Sequence, residues 1–255
     1  MQTNVYVDGF NLYYRCLKGT PYKWLNLLTL CRLSFPHHEF NRIRYFTARV
    51  KRTVADPQKA QRQATLIRAL ETIPILTVHY GKFNTHRVWR HLAHPVPGCP
   101  EMVEVIDTKE KGSDVNLATY LLGDGFQGEY ELAIIVSNDS DLVAPVELVQ
   151  ALLGCKVGIL NPQGRRRGTA WDLMRTASFY RRIRPGVLKA SQFPPTLQDA
   201  HGTIKAQRVV SRRRVRRCTA IVSRPLSESN HSPTSPPPHR HSARAGPHHL
   251  RYAGT

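Results

Sequence analysis

Four aspartates have the residue type and the spacing expected of a metal site: Asp8, Asp114, Asp139 and Asp141. Asp8 closes an apolar run at residues 5–7, and Asp114 opens a predicted helix. The other two follow residues 132–136, the most apolar run of the chain. Four carboxylates brought together would repel one another strongly unless a cation were bound between them. Their convergence predicts a divalent-metal site, and in a very basic chain it favours cleavage of a phosphodiester backbone.

Each aspartate also has a simpler structural interpretation. Asp8, Asp114 and Asp141 all stand where the N-cap of a helix is expected, and aspartate is a preferred residue there. Taken singly, capping explains each of the three better than metal binding does. Asp139 is the hardest to explain in this way, because it precedes another carboxylate at the mouth of a buried strand. The metal-site prediction therefore depends on convergence, and most heavily on Asp139.

An alternation of strands and helices is what would bring these positions together. The hydrophobic pattern predicts strands at residues 4–7, 42–48, 73–80, 102–106, 132–136 and 156–160. It predicts helices at residues 13–17, 22–33, 56–71, 115–122, 142–153 and 170–178. Residues 81–101, which are rich in proline and glycine, are expected to be irregular. Such a chain favours an α/β fold, a mainly parallel sheet with helices on both faces, and a crevice at the carboxyl ends of its strands.

The charge of the chain favours a polyanionic partner. Its 255 residues carry a formal net charge of +19, with a pI near 10.2. Residues 1–195 hold 26 basic and 16 acidic side chains, and residues 196–255 hold 11 and 2. Nucleic acid is the commonest partner of so basic a protein, although a basic protein without such a partner is the simpler alternative.

Cysteine usage and hydropathy favour a cytoplasmic protein. The five cysteines are odd in number and form no CxxC pair, and no signal peptide is recognised. This combination predicts reduced thiols in the cytoplasm. No apolar stretch approaches the roughly 20 residues that a membrane-spanning helix needs, so no membrane partner is expected.

The composition changes near the C-terminus, and residues 204–255 are predicted to form a disordered tail. Residues 205–224 are rich in arginine, and residues 225–249 are dominated by Ser, Pro and His. Such a segment cannot bury enough apolar surface to offset its ordering entropy. Two interpretations stay open: a basic arm that binds nucleic acid, or an extension such as a shifted reading frame.

Three blocks in order resemble the signatures of the NYN domain, a family of the PIN-like nuclease superfamily. They are residues 7–11 (VDGFN), 110–118 (EKGSDVNLA) and 137–142 (SNDSDL). Weaker similarities occur at residues 81–83, 159–162 and 191–194. Each block alone is weakly specific, whereas three in the family's order and spacing are strong. The resemblance covers residues 1–203, which are therefore predicted to form the domain.

The resemblance implies a metal-dependent ribonuclease with a three-layer α/β/α fold and a sheet of about five strands. Mg²⁺ or Mn²⁺ would be bound by the four aspartates. Asp8 and Asp139 are predicted as inner ligands, and Asp114 and Asp141 as outer or second-metal ligands. Single-stranded or structured RNA is the expected substrate. Because PIN-like domains are often dimers, a homodimer is a further expectation.

Several polar residues near the aspartates are candidates for substrate binding. Asn11, Ser137 and Asn138 could hydrogen-bond to a phosphate or a carboxylate, although Ser137 and Asn138 are equally ordinary as turn residues. Lys111, with Lys109, flanks the expected crevice and could hold the RNA backbone. A loop with three adjacent arginines would contact phosphates without reading sequence: Arg165, Arg166 and Arg167.

Three alternatives to this assignment have been considered. A non-catalytic RNA-binding or partner-docking module on the same fold is the main rival. A haloacid-type phosphatase is weaker, because the second aspartate expected two positions after Asp8 is absent. A zinc site at His86, His91, His94 and Cys99 is not favoured, because the spacing does not match a compact Cys/His framework. That segment is expected to be a mobile loop beside the substrate channel.

Overall fold

The computed structural model describes residues 1–94, 98, 100–162, 168 and 170–206. Three sets of predictions fall outside these residues. They concern Cys99, the arginines at positions 165–167, and the tail from residue 207 onward.

A central sheet of seven strands organises the described residues. The strands are β1 (Gln2–Asp8), β2 (Glu39–Ala48), β3 (Leu76–His91), β4 (Met102–Lys111), β5 (Leu132–Val136), β6 (Lys156–Asn161) and β7 (Phe179–Arg182). Their order is β4-β3-β2-β1-β5-β6-β7, and all neighbours are parallel except β3 and β4. The predicted mainly parallel sheet is confirmed, with more strands than the five expected. A separate antiparallel pair consists of β8 (Thr196–Asp199) and β9 (Gly202–Lys205).

Seven α-helices connect or flank the strands in the described part of the chain. They are α1 (Gly9–Leu12), α2 (Leu27–Ser34), α3 (Lys59–Leu70), α4 (Ser113–Phe126), α5 (Val143–Leu153), α6 (Trp171–Thr176) and α7 (Pro185–Ala190). A π-helical turn at Tyr13–Leu17 follows α1, and a 3₁₀ turn at Ser140–Leu142 precedes α5. None of the described helices combines the length and the apolar character needed to cross a membrane.

Two apolar cores on opposite faces of the sheet give the molecule three layers. Side chains alternate along β1, so Val5 and Val7 enter one core while Tyr6 enters the other. The first core contains side chains of α2, α3 and α7. The second contains side chains of α4, α5 and α6. This arrangement confirms the expected three-layer α/β/α architecture.

Residues 81–101 differ from the irregular segment that was predicted. Strand β3 continues to His91 and pairs with β4 in an antiparallel ladder that runs from Lys82–Lys111 to His91–Met102. The prolines that suggested irregularity lie in sequence between His91 and Met102, the two residues of the last pair in this ladder. The expectation of a loop over the whole range was wrong, because ladder hydrogen bonds and cross-strand contacts such as Thr85 Oγ1 to Thr108 Oγ1, at 3.1 Å, stabilise a long hairpin.

Strand order reverses at the centre of the sheet. From β1 the chain adds β2 and β3 on one side, whereas β5, β6 and β7 lie on the other. Crossover helices on opposite faces diverge at such a point and leave a crevice beyond the carboxyl ends of the strands. Asp8 ends β1, and Asp139 follows β5, so both stand at this switch point.

Candidate metal centre

Three of the four predicted aspartates converge at the switch point. The carboxylates of Asp8, Asp114 and Asp139 supply oxygen atoms that all lie within 4.8 Å of one another. They line a cavity of about 590 Å³ beyond the carboxyl ends of β1 and β5. Carboxylate oxygens at this separation are the donor set that a hard divalent cation requires.

Asp8 is held rigidly beneath this cavity and is only 4% exposed. Its Oδ1 accepts a hydrogen bond from the backbone N–H of Asn11, at 2.9 Å, which caps α1. Its Oδ2 accepts from the hydroxyl of Ser137, at 3.0 Å. Burial is the largest cause that raises the pKa of the Asp8 carboxyl to about 7; the charges of Asp114 and Asp139 also raise the pKa, and the two hydrogen bonds lower it. Asp8 therefore both caps a helix, as the structural interpretation predicted, and belongs to the acidic cluster.

Asp139 also has a capping role, which the sequence did not suggest. Its Oδ1 accepts from the backbone N–H of Asp141, at 3.2 Å, and so caps the 3₁₀ turn. Its own N–H donates to the Ser137 hydroxyl oxygen, at 3.2 Å. Ser137 consequently bridges Asp8 and Asp139. Asp139 was expected to be the hardest of the four to explain structurally, and this was wrong. The chain turns immediately after β5, and Asp139 caps that turn.

Asp141 does not cap the helix that follows it. The residue before α5 is Leu142, which makes no side-chain cap, and the exposed Asp141 side chain is not one of the three clustered carboxylates. Its charge still contributes to raising the pKa of Asp114. Asp141 thus lies near the cluster without completing it.

Asp114 is not an N-cap either, because Gly112 holds the N-cap position of α4 and the Glu110 carboxylate accepts hydrogen bonds from its first residue. Helix α4 has Gly112 at its N-cap, with φ of 98°, and Asp114 lies in its first turn. The Glu110 carboxylate accepts from Ser113 N–H at 3.2 Å and from the Ser113 hydroxyl at 2.8 Å. These capping hydrogen bonds therefore do not involve the Asp114 carboxylate. Burial, followed by the charges of Asp139 and Glu110, raises its pKa.

The close approach of β3 to the start of α4 depends on a glycine. A Cβ atom added to Gly81 would lie 2.7 Å from the carbonyl oxygen of Lys111 and would also overlap the Glu110 carboxylate. Glycine at position 81 thus lets the β3–β4 hairpin place Glu110 beside the cluster.

The predicted polar residues form the support of the cluster. Asn11 lines the cavity, and its Oδ1 accepts from the backbone N–H of Asn138 at 3.1 Å. The buried Asn138 side chain accepts from Asn161 Nδ2 at 2.8 Å and from Ala170 N–H at 3.0 Å. Ser137 is fully buried. Substrate contact by these residues stays a prediction, since the observed contacts of Ser137 and Asn138 are internal.

The predicted lysines lie on the hairpin rather than in the cavity. Lys111 is exposed at the end of β4, directly after Glu110. Lys109 forms an ion pair with Asp107 at 3.5 Å. Neither lysine lines the cavity, so contact with an RNA backbone would occur at its rim.

Sequence analysis missed several side chains that line the cavity. They are Phe10, Tyr14, Arg15, Phe83 and Glu110. Phe10 contacts Phe83 edge to face, with ring centroids 5.8 Å apart, and stacks on Tyr14 at 6.4 Å. Phe10, Phe83 and Glu110 all belong to segments that resemble the NYN signatures, which was the available signal for them. Tyr14 and Arg15 carried no comparable signal.

Histidine and cysteine do not form a second metal site in the residues that the structure describes. His86 and His91 project from the antiparallel hairpin, and the three-aspartate cluster is the only group there with metal-ligand geometry.

The electrostatics of Asp8 contrast with those of another buried aspartate. Asp124 is 3% exposed, and Arg44 binds both of its oxygens at 2.7 and 2.6 Å. Asp8 has no salt bridge to any basic residue in the described segments. A buried carboxylate without a cationic partner is costly, so the cluster has the charge balance of a site that binds cations.

Two known proteins are similar to this chain. The curated relative 6-hydroxy-3-succinoylpyridine 3-monooxygenase HspA from Pseudomonas putida (strain DSM 28022 / S16) is 31% identical over 234 residues. The alignment covers 81% of this chain and 75% of that protein. A crystal structure of a protein of unknown function from Vibrio parahaemolyticus RIMD 2210633 is similar at 17% identity, with a TM-score of 0.46. That likeness covers 72% of this chain and 93% of the other.

The family assignment is direct. The NYN domain matches residues 2–183, a span that contains all seven strands of the sheet and all three clustered aspartates. The resemblance read from the three sequence blocks is confirmed, and this chain belongs to the NYN domain family.

Proposed function

We propose that the protein is a ribonuclease that hydrolyses RNA phosphodiester bonds with Mg²⁺ or Mn²⁺ held by Asp8, Asp114 and Asp139. The observation that carries this proposal is the buried Asp8 carboxylate, which has no salt bridge in the described segments and lies within 4.8 Å of two further carboxylates. Membership of a family with a nuclease-like fold supports it. The strongly basic composition supports a polyanionic substrate.

The donor set fits a hard divalent ion. All three groups are carboxylates, which suit Mg²⁺ and Mn²⁺, and no sulfur or imidazole donor accompanies them in the described residues. A bound divalent ion would supply polarisation of the scissile phosphate and a lowered pKa for the attacking water. Asp8 and Asp139 are proposed as direct ligands, because hydrogen bonds from Asn11, Ser137 and Asp141 fix their orientation.

The remaining residues are proposed to position and shield the reaction. Asp114 would complete the ligand set, and Asp141 would act from outside it through its charge or through water. Phe10 and Phe83 form an apolar wall that would limit water at the cluster. Lys111, at the rim, is proposed to hold phosphates, and the same part is proposed for the arginines at positions 165–167, so RNA binding should weaken with salt. A homodimer and a cytoplasmic location stay predictions.

The decisive test compares two substitutions that remove the same charge. Asp139→Asn should lower the rate of RNA cleavage with Mg²⁺ or Mn²⁺ by about 100-fold or more, since it removes a direct ligand. Asp141→Asn, two residues away, should lower it much less, because that carboxylate lies outside the cluster. Manganese binding by calorimetry should be weakened in the first variant and nearly retained in the second.

Two outcomes would contradict the proposal. Cleavage unaffected by Asp139→Asn would remove the cluster from the chemistry. RNA binding without cleavage under either metal would favour the rival, a non-catalytic RNA-binding or partner-docking module on the same fold.

The curated relative supports a second candidate, hydroxylation of a small aromatic acid. That protein is named as a monooxygenase of 6-hydroxy-3-succinoylpyridine and is 31% identical to this chain. A monooxygenase inserts one atom of dioxygen into its substrate and reduces the other to water with two electrons, which NADH could donate. This second candidate is tested by incubating the protein with this pyridine, dioxygen and NADH and separating substrate from product by chromatography. Conversion of the pyridine by a protein that does not cleave RNA would replace the ribonuclease assignment.

A further inference from the structure

A second cavity adjoins the metal centre. Its volume is about 460 Å³, within the range typical of small-ligand sites. Phe10 and Tyr14 line both this cavity and the one above the carboxylates. These two side chains stand between the cavities, so a ligand in the second cavity would lie next to the cavity that the acidic cluster lines.

Aromatic side chains with restricted positions form the walls of this second cavity. The Trp24 indole N–H donates to the carbonyl oxygen of Pro194 at 2.8 Å, which fixes its ring. Tyr13 contacts Tyr14 edge to face, with centroids 5.2 Å apart, and both belong to the π-helical turn. Tyr45 is buried at the base of the cavity. Rings held in this way are preorganised to contact the face of a planar ligand.

Close backbone approach keeps the base of the cavity in place. A Cβ atom at Gly9 would lie 2.6 Å from the Tyr45 ring, so only glycine fits there. Since Gly9 directly follows Asp8, one short segment holds both the carboxylate and the wall of the neighbouring cavity.

The charge of the cavity is positive. Lys23 and Lys59 line it, and neither forms a salt bridge to any residue that the structure describes. Arg62 also lines it and is paired with Asp56. No acidic side chain is among the described lining residues. Two lysines without carboxylate partners beside aromatic walls match a ligand that is both planar and anionic.

We propose that this cavity binds a planar heteroaromatic ring that carries an anionic group, and holds it against the acidic cluster. Two sources share that chemistry: a nucleotide of an RNA strand next to the scissile phosphate, and a free heteroaromatic acid. The inference goes beyond the proposed hydrolysis, since it assigns a ring-binding site whether or not the cluster cleaves RNA. The aromatic walls contact the ring, and Lys23 and Lys59 neutralise the anionic group.

The test measures binding to the full chain in EDTA, so that metal and turnover play no part. Uridine 5′-monophosphate and pyridine-3-carboxylate serve as the two probes, each followed by calorimetry. Lys59→Gln and Lys23→Gln should each weaken the binding of a probe by about tenfold. Lys189→Gln is the matched control, because it removes the same charge from an exposed position outside the cavity. Equal melting temperatures would establish that all variants are folded.

The outcomes separate the two sources and the two proposals. Binding of the nucleotide alone assigns the cavity to RNA, and binding of the pyridine acid alone assigns it to a free heteroaromatic acid. Either result, or binding of both probes, supports the inference if Lys59→Gln and Lys23→Gln weaken the binding of the probe and Lys189→Gln does not. Failure of both probes to bind at about 10 mM, or equal affinity in all variants, overturns it. Loss of RNA cleavage in Asp139→Asn has no bearing on this result.

Discussion

At the scale of single residues, the two buried aspartates show how similar side chains acquire different tasks. Asp124 accepts two hydrogen bonds from Arg44 and a third from the Tyr6 hydroxyl at 2.7 Å. That aspartate is neutralised within the fold and stabilises the packing of α4 on the sheet. Asp8 receives hydrogen bonds but no salt bridge from the part of the chain that the structure describes, so there its charge is left for a cation to balance.

Asp8 should make the metal-free fold less stable as pH rises. Its pKa of about 7 in the folded protein lies above the value of about 4 expected in the unfolded chain. The folded state therefore holds this proton more tightly, and its contribution to stability is complete below about pH 4 and lost as pH rises through about 7. Asp8→Asn, which can still cap α1, should raise the melting temperature at pH 8 in EDTA and flatten the dependence between pH 5 and 8.

Asp141→Asn serves as the control for this pH effect, since it removes a carboxylate that is exposed. The melting temperature of this variant should depend on pH in the same way as that of the wild type. Addition of Mn²⁺ at pH 8 should reverse the order, because the ion stabilises the wild type and has lost a ligand in Asp8→Asn. A lower melting temperature for Asp8→Asn than for wild type in EDTA at pH 8 would contradict the assigned cost of burying this charge.

Residue types and spacing pointed to four aspartates, of which Asp8, Asp114 and Asp139 form the cluster and Asp141 does not, and they did not give the contacts that hold each one. Asp8, Asp114 and Asp139 were found because each follows a strand or opens a helix. Their capping roles were partly misassigned, because an aspartate that caps a turn and one that binds a metal look the same in sequence. The assignment of Asp114 required knowing that Glu110, four residues earlier, occupies the helix end.

At the scale of elements, the β3–β4 hairpin forms one edge of the cavity that the acidic cluster lines. It contributes Phe83 from one strand and Glu110 from the other, and these residues are directly opposite each other in the ladder. The hairpin was not predicted, because its side chains are largely solvent-exposed and lack the alternation of apolar and polar residues that identifies a half-buried strand.

Gly81→Ala tests the close packing of this hairpin against α4. The added methyl group would meet the Lys111 carbonyl at 2.7 Å and should destabilise the fold by about 1–3 kcal/mol. Gly123→Ala is the control, because a Cβ there meets nothing within 4 Å and alanine favours the interior of α4. Urea unfolding should place the midpoint of the first variant below wild type and that of the second at or above it. Equal midpoints for Gly81→Ala and wild type would mean that the contact is not close.

At the scale of the whole molecule, the alternation of strands and helices was readable from the sequence, whereas the order of strands in the sheet was not. Pairing of β1 with β5 rather than β3 joins residues more than 125 positions apart. Local patterns do not encode such a contact, because it depends on which helices cover each face. The convergence of three of the aspartates at one edge of the sheet could be predicted from the general rule for parallel sheets, even without that order.

The ordered region should extend slightly beyond the predicted boundary at residue 203. Strand β9 runs to Lys205, Ile204 is 2% exposed, and the backbone N–H of Ala206 donates to the Pro195 carbonyl at 2.9 Å. A chain that ends at residue 206 should melt cooperatively at nearly the temperature of the full chain. A chain that ends at residue 203 loses the buried Ile204 side chain and should be less stable by about 1.5–3 kcal/mol. Calorimetry would compare the two.

An early, broad transition for the chain ending at residue 206 would show that later residues contribute to the fold. Ile204→Ala in the full chain provides an independent check, since it removes the same buried side chain without shortening the protein. Its melting temperature should lie close to that of the chain ending at residue 203.

The turn between β3 and β4 divides the acidic cluster between two halves of the chain. Asp8 precedes that turn, whereas Asp114 and Asp139 follow it. Strand β1 lies between β2 of its own half and β5 of the other, so the sheet itself is shared across the same division. Neither half contains a complete set of ligands. If the proposed function holds, two fragments separated there would form a split ribonuclease, in which metal binding and RNA cleavage report directly on the reassembly of the protein.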